Sequence, residues 1–75
     1  MLVKRSLSLS GHRTSIALEQ AFWDELDRIA TQRSLSRAAL IAQVDTTRAP
    51  GSNLASELRL LVLDDVKTNT TSNQG

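Results

Sequence analysis

Residues 13–18, which read Arg-Thr-Ser-Ile-Ala-Leu, alternate strictly between two kinds of position. Successive side chains of a β-strand point to opposite faces, so the even positions, with Ile16 and Leu18, share an apolar face. The odd positions form the other, more polar face. A lone strand leaves its backbone groups unpaired. The pattern therefore predicts a short strand that pairs with another strand, which we expect to come from a second copy of the chain.

The preceding residues 3–10 also alternate, but their apolar positions, such as Leu7 and Leu9, have the opposite parity. Gly11 separates the two runs. A glycine bulge there would join them into one long strand, and a tight turn at Ser10-Gly11 would fold them into a hairpin. A flexible arm that orders on binding is the third alternative. The pattern leaves all three open, and residues 1–12 are assigned as a basic N-terminal arm.

After the strand the apolar period changes to that of a helix. The first helix is predicted from Glu19 to about Arg33, because its apolar residues recur on one helical face. Those residues are Phe22, Trp23, Leu26, Ile29 and Ala30. Both aromatic residues are expected in the core, where aromatic side chains contribute most.

A second helix is predicted from about Arg37 to Asp45 or Thr46. Ser36 is suited to cap its N-terminus, where a hydroxyl accepts a hydrogen bond from an early backbone N–H. Its apolar face consists of Leu40, Ile41 and Val44. The N-terminus of this helix, with Ser36 and Arg37, is also a candidate anion site.

A Pro-Gly turn signal marks residues 46–52 as a loop. Asn53 follows as the cap of a third helix, predicted from Leu54 to about Val66. The residues after it, 68–75, are polar and of low complexity, and they are expected to be disordered.

The third helix is apolar on two sides. Leu58 and Leu61 lie on one side of a helical wheel, whereas Leu60 and Leu63 lie nearly opposite. A helix of this kind is buried on both sides. Since a chain of 75 residues can hardly surround a helix, the pattern predicts an intertwined dimer or a higher oligomer.

Composition narrows the possibilities further. The chain has no cysteine and one histidine, so a disulfide framework and a structural metal site are not expected. No apolar run approaches the length of a membrane span, and no signal peptide is recognisable. We therefore expect a cytoplasmic protein without cofactor or metal, in which oligomerisation supplies the stability that a small core lacks.

Catalysis is not expected either. Three scattered glycines cannot form a phosphate-binding loop, and no nucleophile elbow is present. His12 has serines nearby, but no carboxylate is implied that would orient it. The sequence therefore predicts a protein that is not an enzyme.

Basic charge is concentrated at the N-terminus, although the net charge of the whole chain is only +1. Residues 1–18 contain Lys4, Arg5, His12 and Arg13 and no acid. Such a local concentration of basic residues favours binding to phosphate groups or to another acidic surface. The alternative interpretation is a basic tail that is only solvated.

A two-stranded antiparallel ribbon is narrow enough to enter the major groove of DNA. The candidate base-reading residues are those of the polar strand face, namely Arg13, Ser15 and Ala17. Arginine can bond guanine, a hydroxyl can donate or accept, and a methyl group can touch thymine. The candidate phosphate contacts are Lys4, Arg5, His12, Ser36 and Arg37.

The order strand, helix, helix resembles the ribbon-helix-helix superfamily of DNA-binding proteins (the Arc, MetJ and CopG type). The chain is similar, over about Lys4 to Val66, to a small bacterial subgroup of that superfamily. The resemblance rests on three segments: Gly-His-Arg-Thr-Ser at 11–15, Phe-Trp-Asp at 22–24 and Asn-Leu-Ala-Ser-Glu-Leu-Arg at 53–59.

The resemblance implies a mainly α fold with one short β-strand, in which residues 13–67 form an intertwined homodimer with a two-stranded antiparallel ribbon. The third C-terminal helix is an addition to the simplest members, and it favours a tetramer or a site for another protein as alternatives to a plain dimer. Ala17 also departs from the family, where a polar or basic reader is usual. The expected dimer core comprises Ile16, Leu18, Phe22, Trp23, Leu26, Leu40, Ile41, Val44, Leu58, Leu61 and Val62.

The function expected from residues and resemblance together is a sequence-specific transcriptional regulator, a repressor, that inserts a dimeric ribbon into the major groove of double-stranded DNA. The alternative is a protein-interaction module, such as an antitoxin or adaptor, that uses the third helix.

Overall fold

The computed structural model describes residues 1–9 and 11–74, with side chains as far as residue 68. Two strands precede three helices. The elements are β1 (Leu2–Leu9), β2 (His12–Glu19), α1 (Gln20–Gln32), α2 (Arg37–Thr47) and α3 (Leu54–Gln74).

The two strands pair with each other as an antiparallel hairpin within one chain. The expectation of a single short strand is therefore wrong, and the hairpin is the one of the three alternatives that the structure adopts. The register explains the opposite parity of the two runs, because an odd-numbered residue of β1 pairs with an even-numbered residue of β2. Val3 lies opposite Leu18 and Leu7 opposite Thr14, so both apolar sets reach one face without a bulge.

The connection between the strands depends on a backbone conformation that favours glycine. Gly11 has a φ of 81°, in the left-handed region where a Cβ atom is strained. The space around it is open, since a Cβ atom built there would meet nothing within 4 Å. The requirement for glycine at this turn therefore comes from the backbone angle alone.

Helix α1 ends in a hydrogen-bonded turn that redirects the chain into α2. The N–H of Leu35 donates to the carbonyl of Ala30 at 2.8 Å, and the N–H of Ser34 donates to that of Thr31 at 3.0 Å. This pair of bonds is a Schellman motif. Ser34 takes the left-handed position, with a φ of 58°, where glycine is the usual residue.

Helices α2 and α3 begin where their caps predict. The Oγ of Ser36 accepts from the N–H of Ala39 at 3.1 Å, and the Oδ1 of Asn53 accepts from that of Ser56 at 3.2 Å. Each cap satisfies one backbone donor that the first turn leaves unpaired.

The end of α3 lies beyond the predicted end near Val66, since the helix runs to Gln74. The predicted disorder of residues 68–75 remains a prediction, because the side chains from 69 onward and Gly75 lie outside the described residues. Within the described part, no helix combines the length and apolar character needed to cross a membrane.

A single core lies between one face of the hairpin and the three helices. Most of the residues expected in the core are buried, namely Ile16, Leu18, Trp23, Leu26, Leu40, Ile41, Leu58 and Val62. Phe22, Val44 and Leu61 are partly buried and pack against them. These contacts lie within one chain, and the intertwined dimer therefore remains a prediction.

Candidate nucleic-acid interface

The face of the hairpin that points away from the helices carries the three residues predicted to read bases. Arg13 and Ser15 are exposed and Ala17 is half-buried. We call this surface the ribbon face, and it comprises Lys4, Ser6, Ser8, Arg13, Ser15 and Ala17. The sequence reasoning placed the three β2 residues together correctly, because strand alternation alone fixes that relationship.

Strand β1 adds three residues to the ribbon face. Lys4 lies opposite Ala17, Ser6 opposite Ser15, and Ser8 opposite Arg13. Ser6 and Ser8 were missed as candidate site residues, although their parity, shared with Lys4, was visible in the sequence. The hairpin register was the missing information, since only cross-strand pairing brings these side chains beside those of β2.

The cations of the ribbon face differ from those of the helical body in their partners. Lys4 and Arg13 are exposed and have no acidic partner among the described residues. By contrast, four arginines of the helical body are paired with carboxylates at 2.6 to 3.1 Å, and the exposed Arg33 is the exception among the described residues. These pairs are Arg28 with Glu25 and Asp65, Arg37 with Asp27, Arg48 with Asp45, and Arg59 with Glu19. The ribbon face therefore keeps positive charge available for an anionic ligand.

Arg5, a predicted phosphate contact, lies on the helix-facing side of β1 instead of beside Lys4. Its guanidinium carbon is 5.5 Å from the centroid of the Trp23 ring, a distance suited to a cation–π contact. Its Nε is buried without a hydrogen-bond partner among the described residues. The alternating parity of Val3, Arg5 and Leu7 already carried the signal for this placement.

Arg37 approaches the same indole from α2, with its guanidinium carbon 5.3 Å from the ring centroid. It also bonds Asp27 at 2.7 Å. The structure thus brings three predicted phosphate contacts, Arg5, Ser36 and Arg37, to the region where α2 begins beside Trp23. The exposed backbone donors of that first turn add positive potential to the two guanidinium groups.

His12 lies apart from the other predicted phosphate contacts, at the turn end of the hairpin. It lines a groove of about 580 Å³ between β2 and the segment joining α2 to α3. Asp45 and Arg48 line the opposite wall of this groove. The edge of β2 that does not pair with β1 borders it.

The other end of the ribbon is tied to α3 by an ion pair. The Nη2 of Arg59 lies 3.1 Å from the Oε1 of Glu19, the residue that precedes α1. The pKa of the Glu19 carboxyl is lowered, first by a hydrogen bond with the backbone at Glu19 itself and then by the Arg59 guanidinium. Both contacts therefore favour the charged form of Glu19.

A second surface, distinct from the ribbon face, is apolar. Leu60, Leu63 and Val66 are 57%, 53% and 42% exposed on the outer side of α3. Together with the half-buried Phe22 they line a shallow groove, which we call the α3 stripe. This is the second apolar side of the helix that the sequence pattern predicted, and none of the described residues covers it.

No three His, Asp or Glu side chains come together as a metal-binding group within the described ranges. The expected absence of a metal or cofactor remains an expectation.

Comparison with known proteins gives two matches. A family model described as a ribbon-helix-helix domain matches residues 2–66. Among solved structures, the chain is similar to an uncharacterized protein from Bordetella pertussis Tohama I, with 33% sequence identity and a TM-score of 0.85. That match covers 96% of this chain and 61% of the other, so this chain spans less than two thirds of that relative. No curated protein matches.

Proposed function

Since the family model spans nearly all of its length, the chain belongs to the ribbon-helix-helix domain family, and we propose that it is a sequence-specific DNA-binding transcriptional regulator. Domains of this family are in general DNA-binding regulators that form dimers, and they are typically not enzymes. In the proposed mechanism the ribbon face enters the major groove, where Arg13, Ser15 and Ala17 contact base edges. Occupancy of a promoter would exclude other proteins, so we propose repression as the outcome. A bacterial regulator acts on the chromosome, and the cytoplasm is therefore the compartment that we propose for this activity.

The observation that carries this proposal is the contrast between the ribbon cations and the paired arginines. Lys4 and Arg13 are exposed without a carboxylate partner among the described residues, whereas four arginines of the body are paired with carboxylates and Arg33 is not. Phosphates attract unpaired cations over a short range, and neutralised pairs contribute little to that attraction. DNA is therefore drawn to the ribbon face in preference to the helical side.

Phosphates beside the groove would be held at two places. Lys4 has a long side chain opposite the small Ala17, and it can reach the wall of the groove. The start of α2 supplies backbone donors beside Ser36, and the Arg37 guanidinium, which is paired with Asp27, lies next to them. Such contacts position the protein on the duplex without reading its sequence.

Arg13→Ala tests the proposal. A bidentate contact between arginine and guanine contributes about 1–3 kcal/mol of discrimination, so the variant should lose that much affinity for its selected site while it stays folded. The measurement is a salt-titrated mobility-shift assay on DNA fragments enriched from the genome by the wild-type chain. Unchanged affinity for those fragments would exclude the ribbon face as the reading surface.

The α3 stripe supports a second element of the proposal. We propose that a second copy of the chain covers it, because the family forms dimers and these are the large exposed apolar side chains on the helical body. A different protein on this face is the alternative function, that of an antitoxin or adaptor. Mass measurement in solution of the purified chain and of its double variant Leu60→Ser with Leu63→Ser separates the two, since only the first makes the pure chain dimeric through this face.

A further inference from the structure

The two strands contain a single acidic residue, Glu19, and we propose that Arg59 of α3 holds its carboxylate away from Lys4 and thereby keeps the ribbon face positive. Arg59 is then a positioning residue for DNA binding, which acts through Glu19 and Lys4 from outside the ribbon. This role rests on the proposed function, since it concerns the charge of the surface that DNA would meet. It does not depend on what pairs with the free edge of β2, because Lys4 and Glu19 are neighbours across the other edge.

Glu19 and Lys4 are diagonal neighbours in the antiparallel ladder. Lys4 lies opposite Ala17, and Glu19 follows Ala17 by two positions, so it has the same strand parity. Diagonal neighbours of an antiparallel pair lie about 7–8 Å apart, which is within reach of long side chains. The ammonium of Lys4 and the carboxylate of Glu19 would therefore pair if no other group held the carboxylate.

Arg59 occupies that carboxylate instead. Its Nε and Nη2 both donate to the Oε1 of Glu19, at 3.2 and 3.1 Å. Its guanidinium carbon also lies 5.8 Å from the centroid of the Phe22 ring, a distance suited to a cation–π contact that further restrains the group. Lys4, by contrast, has no acidic partner among the described residues. The arrangement leaves the ammonium of Lys4 available to a phosphate.

The ion pair matters for the charge of the ribbon face more than for the stability of the fold. The side chains of Arg59 and Glu19 are 35% and 44% exposed, and exposed pairs of this kind contribute little to stability. A phosphate, however, responds to the sum of the charges within about 8 Å, the Debye length at physiological salt. Lys4 paired with Glu19 would present no net charge to that phosphate. Arg59 therefore preserves one phosphate contact of the ribbon face.

The test compares four forms of the full chain: the wild type, Arg59→Gln, Glu19→Gln and the double variant. Dissociation constants are measured at several salt concentrations on a duplex selected from a random-sequence pool and on a scrambled duplex. Arg59→Gln should weaken binding to both duplexes by about threefold to tenfold, because a contact between Lys4 and a phosphate carries no base information. The slope of log K against log salt should fall by about 0.9.

Rescue by the second change is the readout that a purely structural role would not give. The double variant has no carboxylate that can capture Lys4, so it should bind both duplexes within about twofold of the wild type. If Arg59 only held α3 in place, or bound DNA with its own guanidinium, Glu19→Gln could not restore the affinity. A double variant as weak as Arg59→Gln would therefore overturn the inference. Circular dichroism and urea unfolding check that each form is folded under the assay conditions.

Two controls isolate the route through Lys4. Arg28→Gln removes the same charge from the pairs with Glu25 and Asp65 in the helical body, and it should bind like the wild type. In a chain that also carries Lys4→Gln, the change Arg59→Gln should alter affinity by less than about twofold, because no ammonium is left to capture. The full loss in that background, or an equal loss in Arg28→Gln, would show that only the net charge of the chain matters and would overturn the inference.

Failure of this role and failure of the proposed function give different results. Arg13→Ala is measured on the same duplexes as a reference for specific binding. If Arg13→Ala weakens specific binding while Arg59→Gln binds like the wild type, DNA recognition stands and only the role of Arg59 is overturned. If no sequence is enriched from the pool, or if Arg13→Ala keeps the wild-type constant, the proposed function is overturned and the role of Arg59 with it.

Discussion

The indole Nε1 of Trp23 donates a hydrogen bond of 2.9 Å to the carbonyl oxygen of Val3, and this contact fastens the first strand to the first helix. The side chain of Trp23 is fully buried, and two guanidinium groups, those of Arg5 and Arg37, lie over its ring. One residue thus connects β1, α1 and the start of α2. It is one of the contacts that hold the hairpin against the helices, together with the buried Ile16 and Leu18 and the ion pair between Arg59 and Glu19.

Trp23→Phe should therefore lower the free energy of unfolding by about 1–3 kcal/mol. The change removes one hydrogen bond, leaves the Val3 carbonyl without that partner and weakens the cation–π contacts. Urea unfolding followed by circular dichroism measures it, because the chain has no other tryptophan to report by fluorescence. Phe22→Leu, on the neighbouring and partly exposed position, is the control and should cost less. Equal stability of Trp23→Phe and the wild type would show that the contact contributes nothing.

The parts of the fold that depend on local chemistry were predictable from the sequence. The caps Ser36 and Asn53 fix the starts of α2 and α3, because a side chain and a backbone N–H three residues away are enough to form them. The hairpin was not decidable in the same way. Gly11 is compatible with a bulge, a turn or a flexible arm, and β1 is held by contacts far apart in the sequence, such as the hydrogen bond from Trp23 to Val3, 20 positions away.

The candidate site was predictable to a similar degree. Alternation placed Arg13 and Ser15 on one face, since that relationship lies within one strand. Arg5 was predicted as a phosphate contact from its charge, and its parity with Val3 and Leu7 places it on the helix-facing side of β1, near Trp23, so the contact with phosphate stays a prediction. Ser6 was missed because its neighbour Ser15 is reached only through cross-strand pairing.

Ser34→Gly should stabilise the chain by about 0.5–1 kcal/mol. Ser34 holds a φ of 58° at the end of α1, a conformation that costs an L-residue energy and costs glycine none, although glycine also loosens the unfolded chain. The melting temperature measures the gain, which corresponds to several degrees for a chain of this size. Ser56→Gly, the same change within α3, is the matched control and should destabilise by about 0.5–1 kcal/mol. A loss of stability in Ser34→Gly would contradict the argument.

Glu19→Gln should make stability less dependent on pH. The folded pKa of Glu19 lies below its ordinary value of 4.5, so its contribution is fully present above that value and is lost as the pH falls through the folded pKa. The wild type should therefore exceed Glu19→Gln in stability at pH 7, and the difference should shrink below about pH 4. Urea unfolding at several pH values measures it.

The two causes of the low pKa of Glu19 are separated by making the same change in a chain that also carries Arg59→Gln. The hydrogen bond with the backbone is the largest single cause of the low pKa of Glu19, and the Arg59 guanidinium lowers it through a hydrogen bond and through its charge. The difference in stability that Glu19→Gln produces should therefore narrow in that background without vanishing. A difference that stays constant from pH 7 to about pH 3 would contradict the assignment.

Lys4→Gln should reduce the salt dependence of DNA binding. Each phosphate that a protein neutralises releases counterions, and loss of one such contact lowers the slope of log K against log salt by about 0.9. The loss of affinity should be similar on selected and scrambled duplexes, because phosphate contacts carry no base information. Lys67→Gln, which removes the same charge from α3, is the control. An unchanged slope in Lys4→Gln would place Lys4 away from the phosphates.

The last prediction concerns the α3 stripe, where a second copy of the chain is proposed to bind. In a symmetric dimer each of these leucines buries apolar surface in both copies, so its contribution to association is made twice. The variant Leu60→Ser with Leu63→Ser should therefore weaken association by several kcal/mol, or roughly 100-fold or more. The isolated chain should stay folded, since both side chains are more than half exposed within it. Sedimentation equilibrium measures the mass, and circular dichroism checks the fold. Leu2→Ser, at the far end of the chain and equally exposed at 53%, is the matched control. A double variant that remains dimeric would show that the contact lies elsewhere, with the free edge of β2 beside the His12 groove as a candidate surface, because no strand among the described residues pairs with that edge.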